Sequence, residues 1–156
     1  MNETAAAAVD HPSHYNRGKI EVIRAVHAYA PDFSCGNALK YLCRAGDKPG
    51  ADVVTDLQKA AWYLRDAIEQ ERKHWSERAY YIEPKRSHIP PFSIYEFLDD
   101  QGLTDARRYA AYDLMLAGEF EQGHKGRLPL LDLAYGYVVK AMDEQAAART
   151  EAATGG

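Results

Sequence analysis

The chain has 156 residues, 46% of them hydrophobic and 27% charged, with a formal net charge of -4. That is enough for one folded unit with its own core, and the composition excludes a wholly disordered chain. The acidic balance also argues against a general duplex-DNA binder, whose phosphate contacts call for a basic excess, so any anion site has to be local.

Residues 1–8 carry four alanines and no bulky anchor, and are expected to fray. Residues 9–15 contain Pro12 among polar side chains and read as an ordered loop. Ile20, Ile23, Val26 and Ala30 then follow helical spacing up to Pro31, which gives a first helix near 19–30. Asp32 or Ser34 can cap a second helix near 35–45, which Gly46 closes in the left-handed C-terminal position. Leu57, Ala61, Leu64 and Ile68 form the apolar stripe of a long third helix near 52–74.

Residues 75–92 fit no single period and are expected to form a connector with room for a short strand. Ser93 and Glu96 make a capping-box pattern for a short helix near 94–100, and Thr104 can cap a helix near 105–117 that ends at Gly118. The Gly123–Arg127 segment reads as a flexible connection, Pro129 as the opening of a last helix near 129–147, and 148–156 as a frayed tail. The expected fold class is mainly α, a compact arrangement of about six helices. It divides into a helical domain at 9–74, the connector, and a C-terminal helical region at 93–147.

Cys35 and Cys43 would stand ~12 Å apart on one helix, too far for a disulfide, so both are expected to be reduced. No apolar run reaches the length of a membrane span and the first residues do not resemble a secretion leader. A cytoplasmic protein with no membrane partner is expected.

The chemistry concentrates in the first half. Asn37, Lys40, Tyr41 and Arg44 fall at i, i+3, i+4 and i+7 and share a helix face, with Leu39, Leu42 and Cys43 on the other. Asp56, Lys59 and Tyr63 likewise share a face opposite the leucine stripe. Two neighbouring helices thus each present a cation, a phenol and a polar group. Arg and Lys suit phosphate, whereas Tyr and Asn suit a base or sugar. Periodicity alone leaves open the plainer reading, that both faces are wet surface.

His11 and His14 form an H-x-x-H pair without the further ligands of a zinc signature. Beside a phosphate they could instead donate hydrogen bonds or move protons, and a turn packing Tyr15 on the helices is the structural alternative. There is no Walker phosphate loop, no dinucleotide-binding glycine turn, and no paired Glu-x-x-Glu acids of the all-α nucleoside triphosphate pyrophosphohydrolases.

Three strings carry a resemblance. They are His11, Pro12, Ser13, His14 and Tyr15 with Gly18, Ile20 and Glu21; Gly36 and Asn37 with Lys40, Tyr41, Arg44 and Gly46; and Asp56 with Lys59, Ala60, Trp62, Tyr63 and Leu64. Over about residues 9–70 the chain resembles a phage nucleotide kinase-like domain family that lacks a Walker loop. The resemblance implies phosphoryl transfer from a nucleoside triphosphate, accompanied by Mg²⁺, to a deoxynucleoside monophosphate of the dTMP and dGMP class. The absence of a zinc ligand set and of a dinucleotide-binding glycine turn leads to the expectation of no zinc and no dinucleotide.

On that resemblance His14, Lys40, Arg44 and Lys59 would be catalytic. The cations would neutralise phosphate charge and His14 would orient or deprotonate the acceptor. His11, Tyr15, Asn37, Tyr41, Asp56 and Tyr63 would bind the nucleotide. Tyr41 and Tyr63 would stack on the base, Asn37 would read its edge, and Asp56 would hold Mg²⁺ or orient Lys59. The alternative is a non-catalytic nucleotide binder that sequesters a host signalling nucleotide or modulates a host enzyme. Expected partners are nucleotides, a second copy of the chain through Tyr109, Tyr112, Tyr135 and Tyr137, and a host protein.

Overall fold

The computed structural model describes residues 17–30, 32–78 and 89–155. Six helices make up the described fold: α1 (Val22–Tyr29), α2 (Phe33–Arg44), α3 (Val53–Arg78), α4 (Ile94–Asp100), α5 (Asp105–Ala117) and α6 (Arg127–Thr154). No strand occurs among the described residues, so the mainly α class is as expected.

Helices α2, α3, α6 and α5 close into a ring, α2 packing on α3, α3 on α6, α6 on α5 and α5 back on α2. Side-chain partners fix the directions. Arg44 meets Asp56 and Ser34 meets Asp66, so α2 and α3 are antiparallel. Glu71 meets Arg127 and Asp52 meets Arg149, so α3 and α6 are antiparallel too. The core between them combines Leu39, Leu42, Leu57, Leu64, Leu114, Met115 and Leu131 with Ala38, Ala60, Ala110, Ala111 and Ala134, all fully buried. The alanines let the helix axes approach closely, and the leucines fill the space between.

The expected stripe on α3 is buried throughout. On α1 the expected stripe is offset: Ala30 is buried and Ile20 and Val26 pack against the core, but Ile23 is exposed, and Val22, Ala25, Ala28 and Tyr29 fill the buried face. The reason is a tertiary anchor. Tyr29 is buried and its hydroxyl donates to the Phe92 carbonyl, which fixes the rotation of this short helix. Gly118 adds a steric condition, because a Cβ there would lie 1.4 Å from the Tyr29 carbonyl oxygen. Only glycine lets the end of α5 approach α1 this closely.

Local signals hold at most helix ends. Asp32 caps α2 by accepting from the Cys35 amide, Gly46 takes a positive φ of 83°, and both halves of the Ser93–Glu96 capping box form. Thr104 is extended but makes no side-chain cap bond. The connector and tail expectations need correction. Helix α3 runs on to Arg78, with no Gly or Pro to stop it, residues 79–88 lie outside the described residues, and 89–92 form no strand. Helix α6 starts at Arg127 and continues to Thr154. Alanine-rich sequence favours that continuation, and Arg149 ties it to Asp52.

Arg127, expected in a flexible connection, is instead a buried node. Its Nε donates to Glu71 at 3.0 Å, Nη2 to Asp32 at 2.6 Å and to the Cys35 sulfur at 3.5 Å, and Nη1 to the Ala117 and Phe120 carbonyls at 3.2 and 3.3 Å. The Gly123 amide donates to the other Glu71 oxygen. One guanidinium thus joins the start of α2, the middle of α3, the end of α5 and the start of α6.

Replacing Arg127 by Met should leave Glu71 buried without its counter-charge and cost about 3–5 kcal/mol in urea unfolding, whereas Arg127→Met with Glu71→Leu should recover a substantial part. Both cysteines are free and buried. Burial pushes the Cys43 thiol up to about 12, outweighing Arg107 and Arg17. A disulfide reagent at pH 8 should therefore find neither thiol in the native protein and both after denaturation.

Candidate functional site

The α2 face begins with Phe33, the first residue after the Asp32 cap, and repeats through Asn37, Lys40, Tyr41 and Arg44. Because α2 and α3 are antiparallel, this row runs beside Asp56, Lys59 and Tyr63 of α3. The Tyr41 and Tyr63 rings stack with centroids 5.9 Å apart and planes 14° from parallel. Seven of the ten residues expected from the sequence are therefore brought together. His11, His14 and Tyr15 lie outside the described residues.

Tyr41 is the hub. Lys40 Nζ stands 4.7 Å from its ring centroid, Arg44 Cζ 4.5 Å and Lys59 Nζ 5.3 Å. Three cations crowd one aromatic ring because its electron-rich faces attract them, while they repel one another. The nearby Asp56 carboxylate offsets part of that repulsion. Its Oδ1 accepts from Arg44 Nη2 at 3.2 Å and lies 3.8 Å from Lys59 Nζ.

Two assignments change in detail. Asp56 shares the periodicity of the open face but is only 1% exposed, and Arg44 is 8% exposed. Their pairing lies beneath the surface, at the joint between the helices, so Asp56 orients Arg44 and Lys59 and is not placed to meet ligand. Asn37 does not present its amide as a base reader would. Its Nδ2 donates to the Phe33 carbonyl at 2.9 Å, and its Oδ1 accepts from Lys40 Nζ at 2.8 Å. It is a positioning residue for Lys40.

Lys40 shows the electrostatic state of the site. Partial burial first, then the charges of Arg44 and Lys59, hold its ammonium below the usual lysine value, with Asp56 pulling the other way. The charged form is thus less comfortable in the folded chain than in the unfolded one. Lys59, with nearly half its side chain exposed, is the cation most open to solvent.

Around the hub the surface is aromatic. Tyr63 also contacts Phe33 edge-on at 5.9 Å and Trp62 edge-on at 5.0 Å. Phe33 is 77% exposed and Trp62 56%. Neither had been singled out as a site residue. Phe33 was legible in principle, since it lies four residues before Asn37 on the same face. Trp62 stands in the third string of the resemblance, but it follows Lys59 at i+3 beside Tyr63 at i+4 and periodicity alone did not separate the two.

A family described as a protein of unknown function (DUF3310) matches residues 9–65. The match covers a little over a third of the chain. It contains all ten expected site residues together with Phe33 and Trp62, and stops partway along α3. No curated protein and no solved structure matches the chain.

No group of three or more His, Cys, Asp or Glu that could hold a metal ion occurs among the described residues, and Asp56 is engaged by Arg44. No described helix is long and apolar enough to cross a membrane.

Lys40→Met should keep the apolar stem over Tyr41 while removing one repelling charge. A depressed lysine pKa means that the unfolded chain holds this proton more tightly, so the charge opposes folding below the depressed pKa and ceases to oppose it as pH rises through that value. At pH 7 the variant should therefore melt no earlier than the unaltered protein. A clear fall in Tm would show that the Asn37–Lys40 hydrogen bond outweighs the repulsion.

Proposed function

We propose that the α2–α3 face binds the phosphates of a nucleotide and that the protein transfers a phosphoryl group from a nucleoside triphosphate to a deoxynucleoside monophosphate. The observation that carries the binding step is the convergence of Lys40, Arg44 and Lys59 on Tyr41 with Asp56 as the local counter-charge. An arriving phosphate relieves repulsion among three cations already held in place. Preorganised charge is what phosphoryl transfer chiefly needs, because its transition state spreads negative charge over several oxygens. The transfer step itself draws on the resemblance to phage nucleotide kinase-like domains. Any Mg²⁺ would arrive on the nucleotide's own phosphates.

Within this scheme Lys59 and Lys40 meet phosphate oxygens directly. Arg44, held from below by Asp56, keeps its field fixed beneath them. Asn37 prevents Lys40 from swinging away. Tyr41 and Tyr63 supply the flat wall along which the nucleotide lies.

Protein incubated with ATP, Mg²⁺ and each deoxynucleoside monophosphate should yield the matching diphosphate. Lys59→Met should reduce the rate about tenfold to a hundredfold, the scale of one charge-assisted hydrogen bond. Absence of diphosphate from all the monophosphates would reject the transferase.

A second reading has its own support. The Asp56 carboxylate is occupied by Arg44 and is buried, so it does not face the ligand as a general base. A nucleotide binder without turnover fits that arrangement. It predicts calorimetric binding of a nucleotide, lost in Lys40→Met, with no diphosphate formed.

A further inference from the structure

The groove between α2 and α3 extends past the cation cluster. On α3, Asp56, Lys59, Tyr63, Asp66 and Gln70 repeat at helical spacing, so one face carries the groove from the Arg44 end to the Ser34 end. Asp56 to Asp66 spans about 15 Å at the helical rise. Beyond Tyr63 the groove opens into a cleft of about 240 Å³ lined by Phe33, Ser34, Asp66, Ala67, Gln70 and Gln122, with the Asp32–Arg127 pair also in its wall.

The chemistry changes along this path. Cations occupy one end, aromatic rings the middle, and amides with two carboxylates, Asp32 and Asp66, the other end. The cleft is not a second phosphate site. Its one cation, Arg127, is buried and spends its donors on Glu71, Asp32, the Cys35 sulfur and the Ala117 and Phe120 carbonyls. Ser34 is likewise engaged, donating to Asp66. Gln70 and Gln122 are exposed, and an amide offers a donor and an acceptor side by side. Phe33 presents a largely open ring between these amides and Tyr63. The volume falls below the roughly 300–1,000 Å³ of pockets that enclose whole drug-sized ligands, and suits a single flat ring system.

We infer that this cleft receives the base of the nucleotide whose phosphates lie on the Tyr41 cations, with Phe33 as its stacking surface and Gln70 and Gln122 bonding its edge. The inference rests on the nucleotide reading above and moves base recognition from Asn37, whose amide is occupied, to residues contributed by three separate segments. Gln70 and Gln122 both lie outside the family match, so base choice would be set by parts of the chain that the matched segment does not include.

The test compares two ligands that share a phosphate chain but differ in the base. Calorimetry is run with inorganic tripolyphosphate and with each deoxynucleoside triphosphate, on the full-length protein and on Phe33→Ala, Gln70→Ala and Lys40→Met. Phe33→Ala should weaken the best-bound nucleotide about tenfold and leave tripolyphosphate unchanged, since stacking acts on the base alone. Gln70→Ala should alter the ranking among the four bases. Lys40→Met should weaken both ligand types.

If Phe33→Ala and Gln70→Ala bind every nucleotide as the unaltered protein does, the base cleft is wrong while the phosphate reading stands. If the unaltered protein binds neither ligand, the phosphate reading fails and takes the base cleft with it. Both cleft residues are exposed, so loss of fold is not expected, and unchanged circular dichroism checks this.

Discussion

The architecture depends on a buried cation. Arg127 lies where four helices come together and satisfies two carboxylates, the Ala117 carbonyl at the end of α5, the Phe120 carbonyl just beyond it and a sulfur from one planar group. Burying such a charge is costly unless every donor is matched, and here the partners come from α2, α3, α5 and the loop before α6. That requirement sets where the helices begin and end. Asp32 is both the cap of α2 and an Arg127 acceptor, so the residue that starts the site-bearing helix is also fixed by the node. The groove between α2 and α3 inherits its geometry from this end of the ring.

At the opposite end a second, smaller pairing closes the same two helices. Arg44 and Asp56 are buried together, and Arg107 reaches the Ala45 carbonyl at the end of α2. The functional face is therefore suspended between two polar joints with an apolar core behind it. This explains how exposed side chains such as Lys59 and half-buried ones such as Tyr41 keep a defined arrangement on a surface. Rigid elements carry the site, and the charges at their ends hold the elements in register.

Much of the site was legible because it is periodic. Asn37, Lys40, Tyr41 and Arg44 follow helical spacing within a few residues, as do Asp56, Lys59 and Tyr63, and local order is what sequence displays best. Depth was harder to read. Asp56 and Lys59 share a face, yet one is buried and the other open, because Asp56 pairs with the buried Arg44 of α2 at the joint between the helices. Arg127 was illegible for a different reason. Its partners lie 56 and 95 residues away, so nothing in the glycine-rich segment around it announces a buried charge. The outward position of Ile23 belongs to the same class, since Tyr29 and its distant acceptor at Phe92 set the rotation of α1. The segment that matches a family ends inside α3, while its apolar faces are completed by α5 and α6. The chemistry is thus written compactly and the scaffold is spread along the chain.

The crowding around Tyr41 gives this protein an unusual relation to its ionic medium. Surface ion pairs loosen as salt rises, because screening weakens attraction. Screening weakens repulsion equally, and at Lys40, Arg44 and Lys59 repulsion is the larger effect on Lys40 apart from its burial. Dissolved salt therefore moves the Lys40 ammonium back toward the ordinary lysine value, whereas around a lysine held mainly by carboxylates it would move it down.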